Sequence, residues 1–352
     1  MNKQIENLSK FLYDTKQNFN SDKEYCLKGV SNSTILVPGA SAPAAINTIK
    51  SLKMVKYPVR IVSSDTNPVS AGFYMSDAHE LLPEIESKLY LTRLFEIIAK
   101  HKISVLMPSS GYDIYHYSKN KEKLLKLGAL PVVSDEKTME TCRDKMQTFD
   151  YLSKKFDLPF TTLDSRKIEG FPLIAKPRYG KGSKGIVKID NENDLKYIQS
   201  KQDDLIFQQY LPGTEYTIDV LSNLEGEPII AVPRIRLQTR AGISTMGKIV
   251  KDENISETSK SVAKYLKIRG PCCIQMKESE EGILKIVEVN PRLGGGTIFT
   301  TLAGANFPAM ILDMVKGKKL KIPKISEITI VRYFEEIVVE NGKAMKYDLN
   351  LV

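Results

Sequence analysis

The chain has 352 residues, 42% hydrophobic and 26% charged, with 51 Lys and Arg against 42 Asp and Glu. A chain of this length buries roughly three quarters of its unfolded surface, which excludes disordered and disulfide-stapled classes and fits two or three subdomains. The net charge of +9 is spread along the sequence rather than gathered in a tail, so it reads first as a lysine-rich solvated surface. Nucleic acid, acidic lipid or a phosphorylated small molecule are the partners it could otherwise signal.

Residues 1 to about 30 read as a short helix, with Ile5, Leu8, Leu12 and Phe19 loosely periodic, then a polar link. This segment lacks the apolar stretch of a secretory signal, and no run approaches 18 apolar residues, so the expectation is a cytoplasmic protein without a membrane span. A strand from Ser33 to Val37 runs into Pro38-Gly39-Ala40-Ser41-Ala42-Pro43, followed by a helix from Ala44 to Met54 and a strand from Val59 to Val62. A further helix and strand occupy Leu89 to Lys100 and Ile103 to Met107. Alternating β and α segments with short connections predict a parallel, helix-covered sheet of Rossmann type. Gly39 is a lone glycine and fits an ordinary tight βα turn better than a phosphate loop.

From Asp135 the texture changes. A helix from Glu136 to Lys155 leads to a strand at Phe171 to Lys176, stopped by Pro177. Strand then resumes at Ile186 to Ile189, and Asn193 to Gln199 is helical. Strands follow at Leu205 to Tyr210 and Glu215 to Leu221, with Pro212-Gly213 as the turn. Ile229 to Ile235, Cys273 to Met276 and Leu284 to Val289 are further strands, Gly304 to Val315 a helix, and Ile328 to Val339 a closing strand. The four cysteines (Cys26, Cys142, Cys272, Cys273) have no metal spacing and read as reduced thiols. His79, His101 and His116 are not paired at helical spacing, which argues against a zinc or non-haem iron site.

Three stretches carry chemistry. Arg178 to Gly185 is basic and glycine-rich and lies between two strands. Its backbone N–H groups could converge on phosphate oxygens, or it could be an exposed hairpin loop. Glu288-Val289-Asn290-Pro291-Arg292 ends an apolar strand, and period-2 alternation puts Glu288, Asn290 and Arg292 on one face. Glu and Asn offer hard oxygens of the kind Mg²⁺ prefers, Gln275 is a third donor, and Arg292 could clamp a phosphoryl group. The competing reading is a solvated ion pair at a strand end. Gln208-Gln209-Tyr210-Leu211 with Glu215 could offer backbone groups to an adenine edge and a carboxylate to a ribose.

In order and spacing these stretches resemble the ATP-grasp superfamily, specifically a single carbamoyl-phosphate-synthase-like unit, over roughly residues 31 to 340. Asp144-Lys145, Ala175-Lys176-Pro177, Gly182-Ser183-Lys184-Gly185, Glu215 to Val220 and Glu288 to Arg292 carry the resemblance. It implies an α/β chain, α+β in its ATP-grasp part. Residues 1–30 would be a helical extension and 31–134 a Rossmann-like pre-ATP-grasp domain. Residues 135–352 would form a two-lobed ATP-grasp domain with a small lid lobe at about 146–212. Lys145 and Lys176 would contact ATP phosphates under the loop Gly180, Lys181, Gly182, Ser183, Lys184 and Gly185. Gln208, Gln209, Tyr210 and Leu211 would hold adenine, and Glu215 the ribose. Gln275, Glu288 and Asn290 would bind Mg²⁺ or Mn²⁺. Arg292, with Lys176, would act on the transferring phosphoryl group. Arg234, Arg236 and Arg240 would hold a substrate carboxylate or phosphate.

Two departures stand out: glutamines where the adenine hinge often carries Glu, and Pro108 to Asp113 without the acidic pattern of relatives. The chemistry implied is activation of a carboxylate as an acyl phosphate for attack by an amine. Turnover of bicarbonate to carboxy or carbamoyl phosphate and a non-catalytic nucleotide-binding subunit are the alternatives. The expected partners are small molecules rather than nucleic acid or membrane, and a homodimer is the oligomer to look for.

Overall fold

The computed structural model describes residues 33–109, 113–180, 182 and 184–345. The helical extension expected at residues 1–30 lies outside them, as do Lys181 and Ser183. In chain order the first part contains β1 (Ser33–Pro38), α1 (Pro43–Lys53), β2 (Val59–Asp65), α2 (Ala71–Met75) and β3 (Ala78–Leu81). It continues with α3 (Tyr90–His101), β4 (Val105–Leu106), α4 (Asp113–Lys119), α5 (Lys121–Lys126) and β5 (Leu130–Pro131). These strands form one parallel sheet in the order β3-β2-β1-β4-β5. Ile35, Leu36 and Val37 of β1 are fully buried because helices cover both faces of a parallel sheet. α1 starts at Pro43, which needs no N–H partner in the first turn.

The helix expected from Glu136 to Lys155 is two helices, α6 (Glu136–Arg143) and α7 (Lys145–Leu152). Asp144 breaks them because its carboxylate caps α7, accepting from the backbone N–H groups of Met146 and Gln147, while its own backbone is extended. β6 (Thr161–Thr162), β7 (Leu173–Pro177), β8 (Val187–Ile189), α8 (Glu192–Lys201) and β9 (Leu205–Gln209) follow. Their sheet has the order β6-β9-β7-β8, all antiparallel, with a small core of its own around Leu173, Leu195 and Phe207.

A larger sheet is built from β10 (Glu215–Ser222), β11 (Pro228–Arg240), β12 (Ile243–Ile249), β13 (Pro271–Glu278), β14 (Leu284–Asn290) and β15 (Thr329–Val331). Its order is β14-β13-β10-β11-β12-β15. α9 (Glu253–Tyr265), a helix the sequence reading did not anticipate, buries Ile255, Val262 and Ala263 against one face. α10 (Thr297–Leu302) and α11 (Phe307–Val315) pack on the other side, against α1. One apolar core runs from Ile35, Ile49 and Leu52 through Phe299, Phe307 and Ile311 to Val232, so the N-terminal sheet and the larger antiparallel sheet share an interior.

The closing strand expected from Ile328 to Val339 is interrupted. Only Thr329–Val331 pairs with β12, and β16 (Val338–Glu340) forms a separate hairpin with β17 (Lys343–Met345). Past Val331 the Arg332 backbone N–H still donates to the Thr245 carbonyl at 2.8 Å, while its side chain donates to the Gly295 carbonyl. No helix among the described residues is long and apolar enough to cross a membrane.

Candidate active site

The register of the large sheet places the charged residues. Glu288 lies opposite Gln275, Gln275 opposite Thr217, and Thr217 opposite Arg234. Directly paired residues share a face, so this row crosses four strands, from a carboxylate at β14 to a guanidinium at β11. A second row joins Asn290, Cys273 and Asp219. Glu215 and Arg236, beside the first row, form an ion pair, and Arg236 also donates to the Gly242 carbonyl at 2.8 Å. One face of the sheet therefore runs from acidic and amide oxygens to a group of arginines.

The four-stranded lobe faces the acidic end. Lys176 on β7 is 4% exposed and donates to Gln208 Oε1 at 2.9 Å and to the Val287 carbonyl at 3.5 Å. Burial pushes its ammonium down to about 8, even though Glu288 favours the charged form; Lys145 lowers it further. Lys145 donates to the Gly180 carbonyl at 3.2 Å, and burial lowers its pKa too, against the pull of Glu288 and Asp144. Glu288 accepts no hydrogen bond among the described residues, so its charge faces these two lysines. Lys145, Lys176, Gln208, Phe149, Val287 and Glu288 line one cleft.

The glycine hairpin is anchored at its root. Arg178 makes hydrogen bonds to both Asp144 oxygens, at 2.6 to 3.0 Å, and Tyr179 donates to Asp144 Oδ2 at 2.9 Å. Burial opposes ionisation of Asp144, but the Arg178 contact, the Gln147 N–H and Tyr179 outweigh it and hold the carboxyl below its usual range. Gly182 and Gly185 have φ of +66° and +73°, which residues with a Cβ adopt only with strain. Lys184 is exposed at the tip.

The side chains expected at the adenine hinge are turned inward or sideways. Gln208 accepts from Lys176 and donates to Thr161 Oγ1 at 2.8 Å, and Gln209 accepts from Lys285 at 3.0 Å. β9 ends at Gln209, so Tyr210 and Leu211 carry the backbone beyond the ladder, Leu211 buried and Tyr210 flanked by Lys188 and Lys277.

At the basic end, Arg234 is 1% exposed, donates to Ser244 Oγ at 2.8 Å and lies over the Phe299 ring. Burial lowers its pKa, and Asp219 opposes that shift. A Cβ on Gly296 would overlap the Arg234 guanidinium, so any larger residue there would displace that side chain. Arg332, which the sequence reading passed over, also lies over Phe299 and donates to the Gly295 carbonyl at 2.7 Å. Burial, then Arg234, bring its pKa down to about 10, against Asp219. Arg292 turns out of β14 and donates to the Leu293 carbonyl and, at 3.3 Å, to Asn290 Oδ1. Arg240 stands apart from this group, at the far end of β11 with its guanidinium over Phe334.

Arg178 and Tyr179 belong to the glycine-rich stretch expected to meet phosphate but act at its root, and Asn47 carries no expectation from sequence. Asn47 of α1 donates to the same Gly295 carbonyl at 2.7 Å and so ties the N-terminal sheet's first helix to the glycine turn. Neither a spacing nor a motif marks Arg332 or Asn47; only the tertiary fold brings them here.

Comparison with known proteins agrees with this architecture. Residues 36–133 match the family described as "PylC-like, N-terminal domain", and residues 201–337 match "ATP-grasp in the biosynthetic pathway with Ter operon". The chain thus joins a PylC-like N-terminal domain to an ATP-grasp domain. Among curated proteins, the carbamoyl phosphate synthase large chain of Clostridium botulinum (strain Loch Maree) is 27% identical over 277 residues, 71% of this chain and 25% of that protein. The chain spans only about a quarter to a third of the length of such relatives. Among solved structures, biotin carboxylase from Campylobacter jejuni aligns with a TM-score of 0.67 at 15% identity, covering 83% of this chain and 73% of that one. L-amino acid ligase from Bacillus licheniformis aligns with a TM-score of 0.62 at 18% identity, covering 81% and 74%. These two likenesses establish the fold.

Proposed function

We propose that the chain is an ATP- and Mg²⁺-dependent ligase that activates a carboxylate as an acyl phosphate for attack by an amine. The observation that carries this reading is the row Glu288–Gln275–Thr217–Arg234, whose Glu288 end faces Lys145 and Lys176 across one cleft. Phosphoryl transfer needs positioning and charge neutralisation more than covalent help from the protein, and this arrangement supplies both.

In this reading Lys145 and Lys176 bind the triphosphate, and the hairpin from Gly180 to Gly185, with Lys181, Ser183 and Lys184, covers it. The backbone at Gln208 to Leu211 receives adenine, and Glu215, already oriented by Arg236, receives the ribose. The donor set for a metal is one carboxylate (Glu288) with the amide oxygens of Gln275 and Asn290. Hard oxygens in that small number suit a Mg²⁺ that keeps water and phosphate ligands, whose bound charge would neutralise the phosphates. Arg236 and Arg332, backed by Arg234, draw the acid's carboxylate to the basic end of the row. A carboxylate oxygen attacks the γ-phosphorus and the bond to the β–γ bridging oxygen breaks, giving ADP. Arg292 stabilises the charge that develops on the transferring group. The amine nitrogen then forms the C–N bond, loses a proton, and phosphate leaves.

The test is ADP release from Mg-ATP with each of the twenty common L-amino acids, small dicarboxylates or bicarbonate as acid, alone and with pooled amines. At least one organic acid raises ADP release, and Glu288→Gln lowers that rate about a hundredfold or more. Unchanged turnover in Glu288→Gln rejects the metal assignment. Bicarbonate is in the panel because the curated relatives are carbamoyl phosphate synthase chains. A response to bicarbonate alone would replace the acyl phosphate reading.

A further inference from the structure

The basic end of the cleft holds a carboxylate whose role the proposed chemistry leaves open. Asp219 follows Glu215 and Thr217 on the same face of β10 and is 2% exposed. Its Oδ2 accepts from Thr300 Oγ1 at 2.6 Å, while its Oδ1 has no hydrogen-bond partner. That free oxygen lies 3.3 Å from the point where a Cβ on Gly294 would sit, directly beneath the glycine turn. Burial pushes the Asp219 carboxyl above its usual range, while Arg234, the Thr300 hydroxyl, Arg332 and Arg292 favour its charged form; none of the three arginines donates a hydrogen bond to it. Arg234 is likewise buried with an unpartnered Nε.

The buried Arg234 and the half-buried Arg332 and Arg292 carry like charges that repel one another, and Asp219 is the buried carboxylate that favours all three. Two of the three, Arg234 and Arg332, help to fix the glycine turn: one occupies the space under Gly296, and the other shares the Gly295 carbonyl with Asn47. Thr300 couples Asp219 to α10, whose Phe299 ring lies against Arg234 and Arg332.

We propose that Asp219 is the positioning residue of the acid-binding end, holding Arg234, Arg332 and the turn Gly294–Gly296 in the arrangement that receives the substrate carboxylate. This rests on the ligase reading for its substrate, but the positioning itself can be tested without it. Asp219→Asn keeps the size and an acceptor for Thr300 while removing the charge. With Mg-ATP and the L-amino acid that gives the fastest ADP release, the variant raises the KM for that amino acid about tenfold or more and leaves the KM for ATP within about twofold. The second readout is alkylation of Cys273 by iodoacetamide, followed by peptide mass spectrometry. Cys273 Sγ lies 3.2 Å from the Cβ position of Gly294, so the turn roofs it. Its alkylation rises several-fold in the variant while Mg-ATP affinity holds. Thr300→Val, which removes only the donor, shows the same pattern more weakly and serves if the Asn variant fails to fold.

Unchanged KM and unchanged alkylation overturn the proposal. So does an equal loss of ATP and amino acid binding with a lowered Tm, which marks a merely structural residue. If the wild-type chain turns over no acid, the ligase reading fails and the alkylation ratio alone decides whether Asp219 holds the turn.

Discussion

Lys176 shows how one residue can be costly to the fold and useful to the chemistry. An ammonium at 4% exposure has lost most of its hydration, and the Glu288 charge and two oxygen acceptors do not fully replace it. With its pKa brought down to about 8, the lysine is partly neutral in mildly alkaline solution when no nucleotide is bound. A triphosphate favours the ammonium and raises that pKa. ATP affinity is therefore expected to be flat below pH 7 and to fall as the pH rises through 8. Proton uptake should accompany binding near pH 8. Calorimetry in buffers of different ionisation enthalpy measures the uptake; zero uptake at pH 8 would remove Lys176 from the phosphate site. The folding linkage has the opposite sign to a stabilising pair. The folded state disfavours this proton, so Lys176 costs stability below pH 8, and the cost fades as the pH approaches the ordinary lysine value. Lys176→Met should abolish ATP binding without lowering Tm at neutral pH.

Among the elements, the junction of α6 and α7 does most to shape the site. Asp144 caps α7, which begins with Lys145, and also takes Arg178 and Tyr179 from the root of the glycine hairpin. One carboxylate thus sets the position of a phosphate-facing lysine and the base of the loop that would close over it. Asp144→Ala should cost about 1 to 2 kcal/mol from the lost cap and contacts, read as a fall in Tm. Arg178→Ala leaves the cap's backbone bonds in place and should raise the KM for ATP several-fold with a fall in Tm from the unpaired Asp144; α7 helicity by circular dichroism then separates helix capping from loop anchoring. Periodicity alone read one helix across this junction, because an Asp inside an apolar-periodic stretch signals a cap only when something else holds its backbone extended. The same limit applies at β15: Ile328 to Val339 is apolar enough to read as one strand, yet its pairing with β12 ends near Arg332. By contrast, Glu288 and Asn290 stand out in the sequence because period-2 alternation on an apolar strand decides their face, Gln275 because it interrupts an apolar strand, and Glu215 as the acid after the Pro212-Gly213 turn.

The whole molecule divides unevenly. The N-terminal sheet and the large antiparallel sheet are joined by a shared core and by buried polar links, Asn47 to Gly295, Ser51 to Thr301 and Asn306 to Ser51. The four-stranded lobe has its own small core and meets the rest through polar contacts such as Lys145 to Gly180 and Lys285 to Gln209. The alternation of β and α segments made the parallel sheet readable in advance. The shared core was not, because it depends on α1 packing against helices some 250 residues later. Hydrogen exchange with and without Mg-ATP should show slower exchange across residues 173–189, while protection at α1 and α10 stays constant. Equal changes in both regions would mean that the lobe does not move as a lid.

The central claim is that a carboxylate oxygen becomes bonded to the γ-phosphorus of ATP. It is tested most directly with an amino acid labelled with ¹⁸O in its carboxylate, in bicarbonate-depleted buffer, with mass spectrometry of the released phosphate. Transfer of one labelled oxygen to phosphate for each ADP formed is the expected result. Unlabelled phosphate would mean that water, not the acid, receives the phosphoryl group, and the ligase reading would be wrong.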